Sequence, residues 1–546
     1  MTLNCKACGK LSSRLAIILI ILITALVYAN SLRNSFIWDD FLTIVNNDSI
    51  KSWHNFPVLF SKSYLISFGE ETYRPVETLS NFIDYSIWKL NPFGYHLTNV
   101  LLHILNAALI YHLINLIVCN RNLALLTALL FALHPVNTEA VNGISFREDL
   151  LALVFYLSSL ILYIRSRKPV LSLIFFALAL FSKEIALTLP GIIILYDYFF
   201  VFDGNLAALI KDFRARYLGI KSRYPAFILV LLLYVGVRFF LMNNPVAARL
   251  TYPGGNFYTN ILTMSRAFVH YIYLAFFPIN AHLILHGNSF ISNSFFTPKV
   301  FFSVLFLLFC FFAANRIKKT SKELSFSIYW FFLTLIPVSN ILPLNNFLAN
   351  RFLYIPMVGF CFFLAALLFK MPHLEVSFFK QGLLQKFSRC AIIVLLLFYP
   401  AFTMIRNLRY RNSISLWSEM VDIYPDSFEA HSLLGYGFLS NGLFDKAIQE
   451  YNTAISLTPF NIPTDDYEYL GACYYDKGMP DKAVEVLNKA LQINSHSEKA
   501  CLYLGIIFKD KRAYGKAIEY FKRAVYINPK CAQANKELSS IKALIK

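Results

Sequence analysis

Apolar residues in the first three quarters of the chain come in long blocks separated by short polar segments. Twelve blocks stand out, near 13–29, 96–118, 122–136, 149–164, 169–182, 185–202, 224–241, 263–280, 299–315, 325–341, 352–370 and 389–405. A helix needs roughly 17–25 apolar residues to cross a bilayer. The pattern predicts an all-α, polytopic transmembrane bundle of about 11–13 spans. After residue 412 no such block recurs, and shorter amphipathic periods take over. The chain therefore divides into a multi-span domain, 1–412, and a second helical domain, 413–546.

The second domain repeats itself. Leu434-Gly435-Tyr436, Leu470-Gly471-Ala472 and Leu504-Gly505-Ile506 correspond. So do Asp445-Lys446-Ala447-Ile448, Asp481-Lys482-Ala483-Val484 and Gly515-Lys516-Ala517-Ile518. The glycines are 36 and 34 residues apart, and the two extra residues fit the loop at 460–463. A 34-residue period with Gly in one helix, Ala in the next and Pro at the end is the tetratricopeptide pattern. Repeats near 426–459, 462–495 and 496–529 predict an α-solenoid, with Leu416–Pro425 as the last helix of a degenerate repeat before them.

Composition agrees with a membrane protein: 57% of residues are hydrophobic and the mean hydropathy is +0.52. The net charge of +18 comes from basic clusters between apolar blocks, as the positive-inside rule expects, so nucleic-acid binding is not indicated. Lys6/Lys10/Arg14, Arg121, Arg165/Arg167/Lys168, Lys211–Arg223, Arg316/Lys318/Lys319 and Lys370–Arg389 mark the inside. Keeping 316–322 inside makes 263–297 a re-entrant or paired short segment. Loops 30–95, 137–148, 242–262 and 342–351 then face outward, and the repeat domain follows the last span to the extracytoplasmic side. This is an integral protein of the inner membrane if the source is bacterial. The first block lacks a small-residue cleavage site and reads as a retained span. Cys5-Lys-Ala-Cys8 is half of a zinc-ribbon pattern with no second pair nearby, so no metal site is expected. Cys119, Cys310, Cys361 and Cys390 read as small hydrophobes.

Candidate chemistry sits at outer span ends. Asp39 and Asp40 follow the first span directly. Ionisable pairs beside hydrocarbon are costly and usually functional. A carboxylate there can act as general base on an acceptor hydroxyl or bind a divalent cation; the bland alternative is a solvated acidic loop. Arg74 lies in Tyr73-Arg74-Pro75. His96, Asn99, His103 and Asn106 form a polar stripe, either functional or a helix–helix contact inside the bundle. His134 precedes Pro135, and Glu139 and Arg147 follow on a polar loop. Lys183-Glu184 separates two blocks, and Arg266 lies within another. Arg351, at a span's outer end, suits bidentate phosphate capture or ordinary snorkelling.

In order along the chain, Asn34-Ser35-Phe36-Ile37-Trp38-Asp39-Asp40, Tyr73-Arg74-Pro75, Tyr95-His96-Leu97 with Asn99, His134-Pro135 with Thr138-Glu139-Ala140-Val141, Ser182-Lys183-Glu184, and Arg351-Phe352-Leu353-Tyr354-Ile355-Pro356 resemble the transmembrane-and-tetratricopeptide-repeat O-mannosyltransferases and their prokaryotic relatives. These are C-type membrane glycosyltransferases. The resemblance covers nearly the whole chain. It implies an extracytoplasmic active site in which one of Asp39 and Asp40 is the base. Arg351 and Lys183 are the candidates beside the polyprenyl-phosphate, and Arg74, His96, His134, Glu139, Arg147, Glu184 and Arg266 are candidate substrate-binding residues. The sequence departs from the family at Asn350, where an acidic residue is common, at Asn137, and at Phe146-Arg147-Glu148-Asp149.

The implied activity is that of an inverting hexosyltransferase. It moves a sugar, mannose among the candidates, from a polyprenyl-phosphate carrier to an acceptor hydroxyl such as a protein Ser or Thr. The repeats would hold a protein or peptide acceptor; no organic cofactor is expected, and membrane lipid is the remaining partner. The alternative is a membrane-anchored tetratricopeptide scaffold for complex assembly, which leaves the polar residues at outer span ends unexplained. A lipid-linked-sugar flippase would place ionisable residues near the bilayer midplane, whereas here they gather at one edge.

Overall fold

The computed structural model describes residues 12–545 except 69–71, 166–167, 218–223, 243–251, 281–289, 345, 374–380, 458–462 and 530. The Cys5/Cys8 pair, Lys6, Lys10, Arg167, Lys221, Arg223, Lys380 and most of the 460–463 loop lie outside the described residues. The chain forms two compact units, Met1–Arg411 and Asn412–Lys546. No strand occurs among the described residues.

In the first unit every one of the twelve apolar blocks falls on helix. Among the described residues six helical runs are long and apolar enough to cross a membrane: Ser13–Arg33, Pro92–Val118, Glu184–Val201, Tyr224–Leu241, Pro298–Ile317 and Gly382–Arg409. A seventh arises if Arg121–Leu133 and Pro135–Asn142, bent by 49° at the intervening His134, count as one span. This number is below the eleven to thirteen expected, for a physical reason. Pro169–Ser182 and Pro356–Lys370 are apolar but have 14 and 15 residues. At about 1.5 Å per residue such helices fall short of a hydrocarbon core of about 30 Å. Arg147–Arg165 opens with Arg-Glu-Asp, and Phe257–Phe276 carries Asn260, Thr263, Ser265 and Arg266. The 263–280 block is thus mostly one 20-residue helix; residues 281–289 lie outside the described set.

Outward faces are what lipid requires. Pro298–Ile317 exposes Phe302, Leu305, Leu308, Phe309 and Phe312, and buries only Val300, Ser303 and Ala314. Inward, the polar stripe of Pro92–Val118 is wholly buried. His103 Nδ1 lies 2.7 Å from the Tyr354 hydroxyl and its Nε2 3.0 Å from the Ala132 carbonyl. Asn106 donates to the Leu150 carbonyl, and Asn99 to those of Val141 and Gly143. These bonds join helices where water is absent. An asparagine ladder ties the segment after the first apolar run to Asn142 and Asn407: Asn34 donates to Asn142, Asn142 to Asn407, and Asn407 to Asn30. Cys119, which ends Pro92–Val118 at φ 56°, is disulfide-bonded rather than a free small hydrophobe.

The second unit is a run of paired helices from Ser413–Ile423 to Ala532–Ile545. Gly471 and Gly505 are where the pairs touch. A Cβ on either would sit 2.6 Å from Leu487 Cγ or Phe521 Cδ1, respectively. The recurrent glycine is therefore a packing requirement.

A similar approach holds the membrane unit. A Cβ at Gly359 would lie 2.8 Å from the Ser327 carbonyl oxygen and 3.0 Å from the Phe331 nitrogen. Gly359→Ala is expected to destabilise the protein by about 1–3 kcal/mol through overpacking, read as a lower melting temperature in detergent. Gly382→Ala has nothing within 4 Å and is expected to be neutral or slightly stabilising through helix propensity. Equal melting temperatures for the two variants would show that the Lys322–Leu335 and Pro356–Lys370 helices do not meet at Gly359.

Candidate functional site

The two adjacent aspartates have opposite environments. Trp38 adopts φ 48°, a left-handed conformation that costs a bulky residue about 1–3 kcal/mol. Asp39 and Asp40 follow directly after that turn. Asp40 is fully buried. Its Oδ2 accepts the Ile37 N–H at 3.0 Å and its Oδ1 the Ser145 N–H at 2.8 Å. It pins the loop after the first apolar run to the turn before Arg147. Burial pushes its carboxyl up to about 7, against the two amide bonds that pull it down. Asp39 stays half-buried, while its backbone carbonyl anchors Leu42 and Thr43.

Beside this loop lies a largely buried ionic cluster. Glu148 Oε1 is shared by Arg74, at 2.8 Å, and Lys183, at 3.2 Å. Lys183 also meets Asp149 at 2.5 Å. Arg74 continues to Glu184 at 3.0 Å, and Glu184 to Arg238 at 2.8 Å. Arg147, fully buried, pairs with Asp84 at 2.6 Å and donates to Asn99, Ser80, Asn81 and the Tyr95 carbonyl. Glu77 accepts from Asn81. Burial, reinforced by the charge of Glu148, pushes the Glu77 carboxyl up to about 7.

Arg351 connects loop and cluster. It pairs with buried Glu139 at 2.6 Å. Its guanidinium lies 4.1 Å from the Phe146 ring centroid and 6.0 Å from that of Trp38, and those two rings meet edge to face. The strained Trp38 turn is thus braced from behind by a stacked cation.

Asp39, Asp40, Arg74, Glu139, Arg147, Lys183, Glu184 and Arg351 come together in this way. His96 is buried beside the Asn34–Ser35 backbone. His134 is placed elsewhere: its Nδ1 accepts the Val136 N–H and its Nε2 faces the Ala275 carbonyl. That arrangement makes it a neutral imidazole capping the bend. Arg266 donates to the Phe290 carbonyl and the Ser292 hydroxyl and lies 5.1 Å from the Phe290 ring centroid. Sequence reasoning missed Trp38, Glu77, Asp84, Glu148, Asp149 and Arg238 as members. For Arg238 the signal was present, a lone cation inside an apolar block. Among the described residues no group of three or more His, Cys, Asp or Glu is arranged to hold a metal ion.

The tetratricopeptide repeat family matches residues 405–462, 469–497 and 498–531. Protein O-mannosyl-transferase TMTC3 of Mus musculus is 26% identical over 486 residues, covering 81% of this chain and 51% of its own length. Protein O-mannosyl-transferase F38B6.6 of Caenorhabditis elegans is 27% identical, covering 81% and 63%. Protein O-mannosyl-transferase TMTC1 of Mus musculus is 36% identical over 199 residues, 32% of this chain and 21% of its own. The relatives are of the family that the motifs resemble. The chain spans about half to two thirds of the length of the first two of these relatives.

The geometry separates the aspartates experimentally. In Asp40→Asn an amide N–H would face one of two backbone donors. The expected cost is about 1–3 kcal/mol, seen as a lower melting temperature, whereas Asp39→Asn should melt like wild type. The pH dependence has a defined sign. The folded pKa of Asp40, about 7, lies above its ordinary 3.8, so the folded state keeps a proton that the unfolded chain has released. That stabilisation is complete below the ordinary value and is lost as pH rises through about 7. The melting gap between wild type and Asp40→Asn should narrow from about pH 5 to about pH 8; a constant gap would mean that Asp40 is ionised throughout.

Proposed function

We propose that this protein is a membrane glycosyltransferase. It moves a sugar, mannose by its kinship, from a polyprenyl-phosphate carrier to an acceptor hydroxyl, including Ser or Thr of a protein, on the extracytoplasmic face. The observation that carries the assignment is the division of labour between Asp39 and Asp40. Asp40 is consumed by two backbone amides. Asp39 is half-buried, one residue after the strained Trp38. Its relatives named protein O-mannosyl-transferases support the reaction class.

In one displacement, Asp39 takes the proton of the acceptor hydroxyl as its oxygen bonds to the anomeric carbon. The bond from that carbon to the phosphate oxygen breaks, and the polyprenyl phosphate leaves with the electron pair, its charge met by fixed cations. A single displacement inverts the anomeric centre. Lys183 and Arg351 each hold a buried carboxylate already, so they set the local potential from behind. Arg74 is more open. The helical repeats supply the surface for a protein or peptide acceptor; a scaffold reading accounts for that unit alone.

The test is sugar transfer by the purified full chain in detergent, with a panel of polyprenyl-phosphate sugars and with peptide and small acceptors. Asp39→Asn is expected to lose at least about 100-fold in rate, the usual scale of general-base removal, while folding normally. Full activity in that variant would remove Asp39 from the chemistry. Removing 413–546 should abolish transfer to peptides and spare transfer to a small acceptor. Loss of both, with the remaining unit folded, would count against an enzyme confined to the membrane unit.

A further inference from the structure

The geometry points to Arg238 as the residue that receives the phosphate of a lipid entering sideways from the bilayer, at a subsite where Glu184 holds the phosphate's place. This deepens the proposed function and rests on it for the identity of the lipid. Within the ionic cluster, most cations are matched inside the protein. Arg147, Lys183 and Arg351 have side chains 0%, 6% and 10% exposed, each on a carboxylate exposed by 5% or less. The chain Arg74–Glu184–Arg238 differs. Its side chains are 21%, 22% and 12% exposed, and one carboxylate bridges two guanidinium groups, Oε2 to Arg74 and Oε1 to Arg238.

Arg238 also has a donor to spare. Nη1 is bonded to Glu184 and to the Tyr234 hydroxyl, while the buried Nε has no hydrogen-bond partner. An orphaned guanidinium N–H costs free energy until an acceptor arrives. The turn that carries it, Val237–Leu241, has no buried residue, and Phe240 is 81% exposed. This turn ends one of the apolar runs able to cross the membrane. Acyl or isoprenoid chain can therefore lie against Phe240 and Leu241 while the attached headgroup meets Arg238. A phosphate offers the planar fork of an arginine two oxygens. Those are the contacts that Glu184 makes to Arg74 and Arg238 together, so phosphate and Glu184 compete for the same pair.

The experiment titrates sugar-free polyprenyl phosphate onto the full chain in detergent, with bound lipid counted by native mass spectrometry. Phosphatidylglycerol and inorganic phosphate are the comparison arms. Arg238→Gln is expected to weaken polyprenyl-phosphate binding about tenfold or more, a loss of about 1.4 kcal/mol per decade, and Arg238→Lys to weaken it less. Glu184→Gln removes the competitor and should tighten binding. Unchanged binding in Glu184→Gln overturns the proposal even if Arg238→Gln fails to fold. Equal binding of inorganic phosphate or phosphatidylglycerol by wild type also overturns it. Binding that shifts as expected, in a wild type that transfers no sugar, keeps the subsite and sinks the transferase. Transfer by Arg238→Gln with an unchanged donor KM does the reverse.

Discussion

Glu148 is the hinge of the site, because its Oε1 serves both Arg74 and Lys183. A buried ion is tolerated only when an opposite charge and hydrogen bonds replace its water. Here that demand propagates. Lys183 needs Asp149 as well, Arg74 needs Glu184, and Glu184 in turn holds Arg238. The partners come from the helix Pro75–Trp88 and its N-cap, from the start of Arg147–Arg165, from the end of Pro169–Ser182 and from Val237–Leu241. One electrostatic requirement therefore fixes the relative position of four segments distant in sequence. Such an arrangement is poor at adding stability and good at holding a geometry.

Against that frame of paired charges, Asp39 and Asp40 show how neighbours acquire different chemistry. Both carry the same carboxyl, yet Asp40 is fully buried and Asp39 is half-buried. Asp40 spends its lone pairs on the Ile37 and Ser145 amides and acts as a strut. Phe146 and Arg351 pack around the Trp38 turn that precedes both.

The helices and the repeats were legible because hydrophobic blocks and a 34-residue period are local signals. Pro135, Gly471 and Gly505 did what such residues do in any chain. The division between Asp39 and Asp40 was not legible, since it depends on Ser145, more than a hundred residues away. His134 misled for the same reason: a histidine before a proline reads as chemistry until the Ala275 carbonyl is found beside it. Arg147 looked like a cleft residue on a polar loop and is a buried anchor to Asp84. Arg238 was legible and overlooked, a guanidinium in an otherwise apolar block.

Charge balance says why an anion should enter at the edge. Residues 1–411 contain 35 Lys and Arg but 16 Asp and Glu, and eight of those sixteen gather in this cluster against five cations. The interior of the cluster is therefore acid-rich within a basic unit. Asp40 and Glu77, both raised to about 7, relieve part of that excess by holding protons near neutral pH. A phosphate driven into the interior would meet Asp149, Glu139 and Glu148 at low dielectric, where like charges repel strongly. At the rim it meets two guanidinium groups bridged by Glu184, of which Arg74 also holds Glu148, and water remains to screen the remainder.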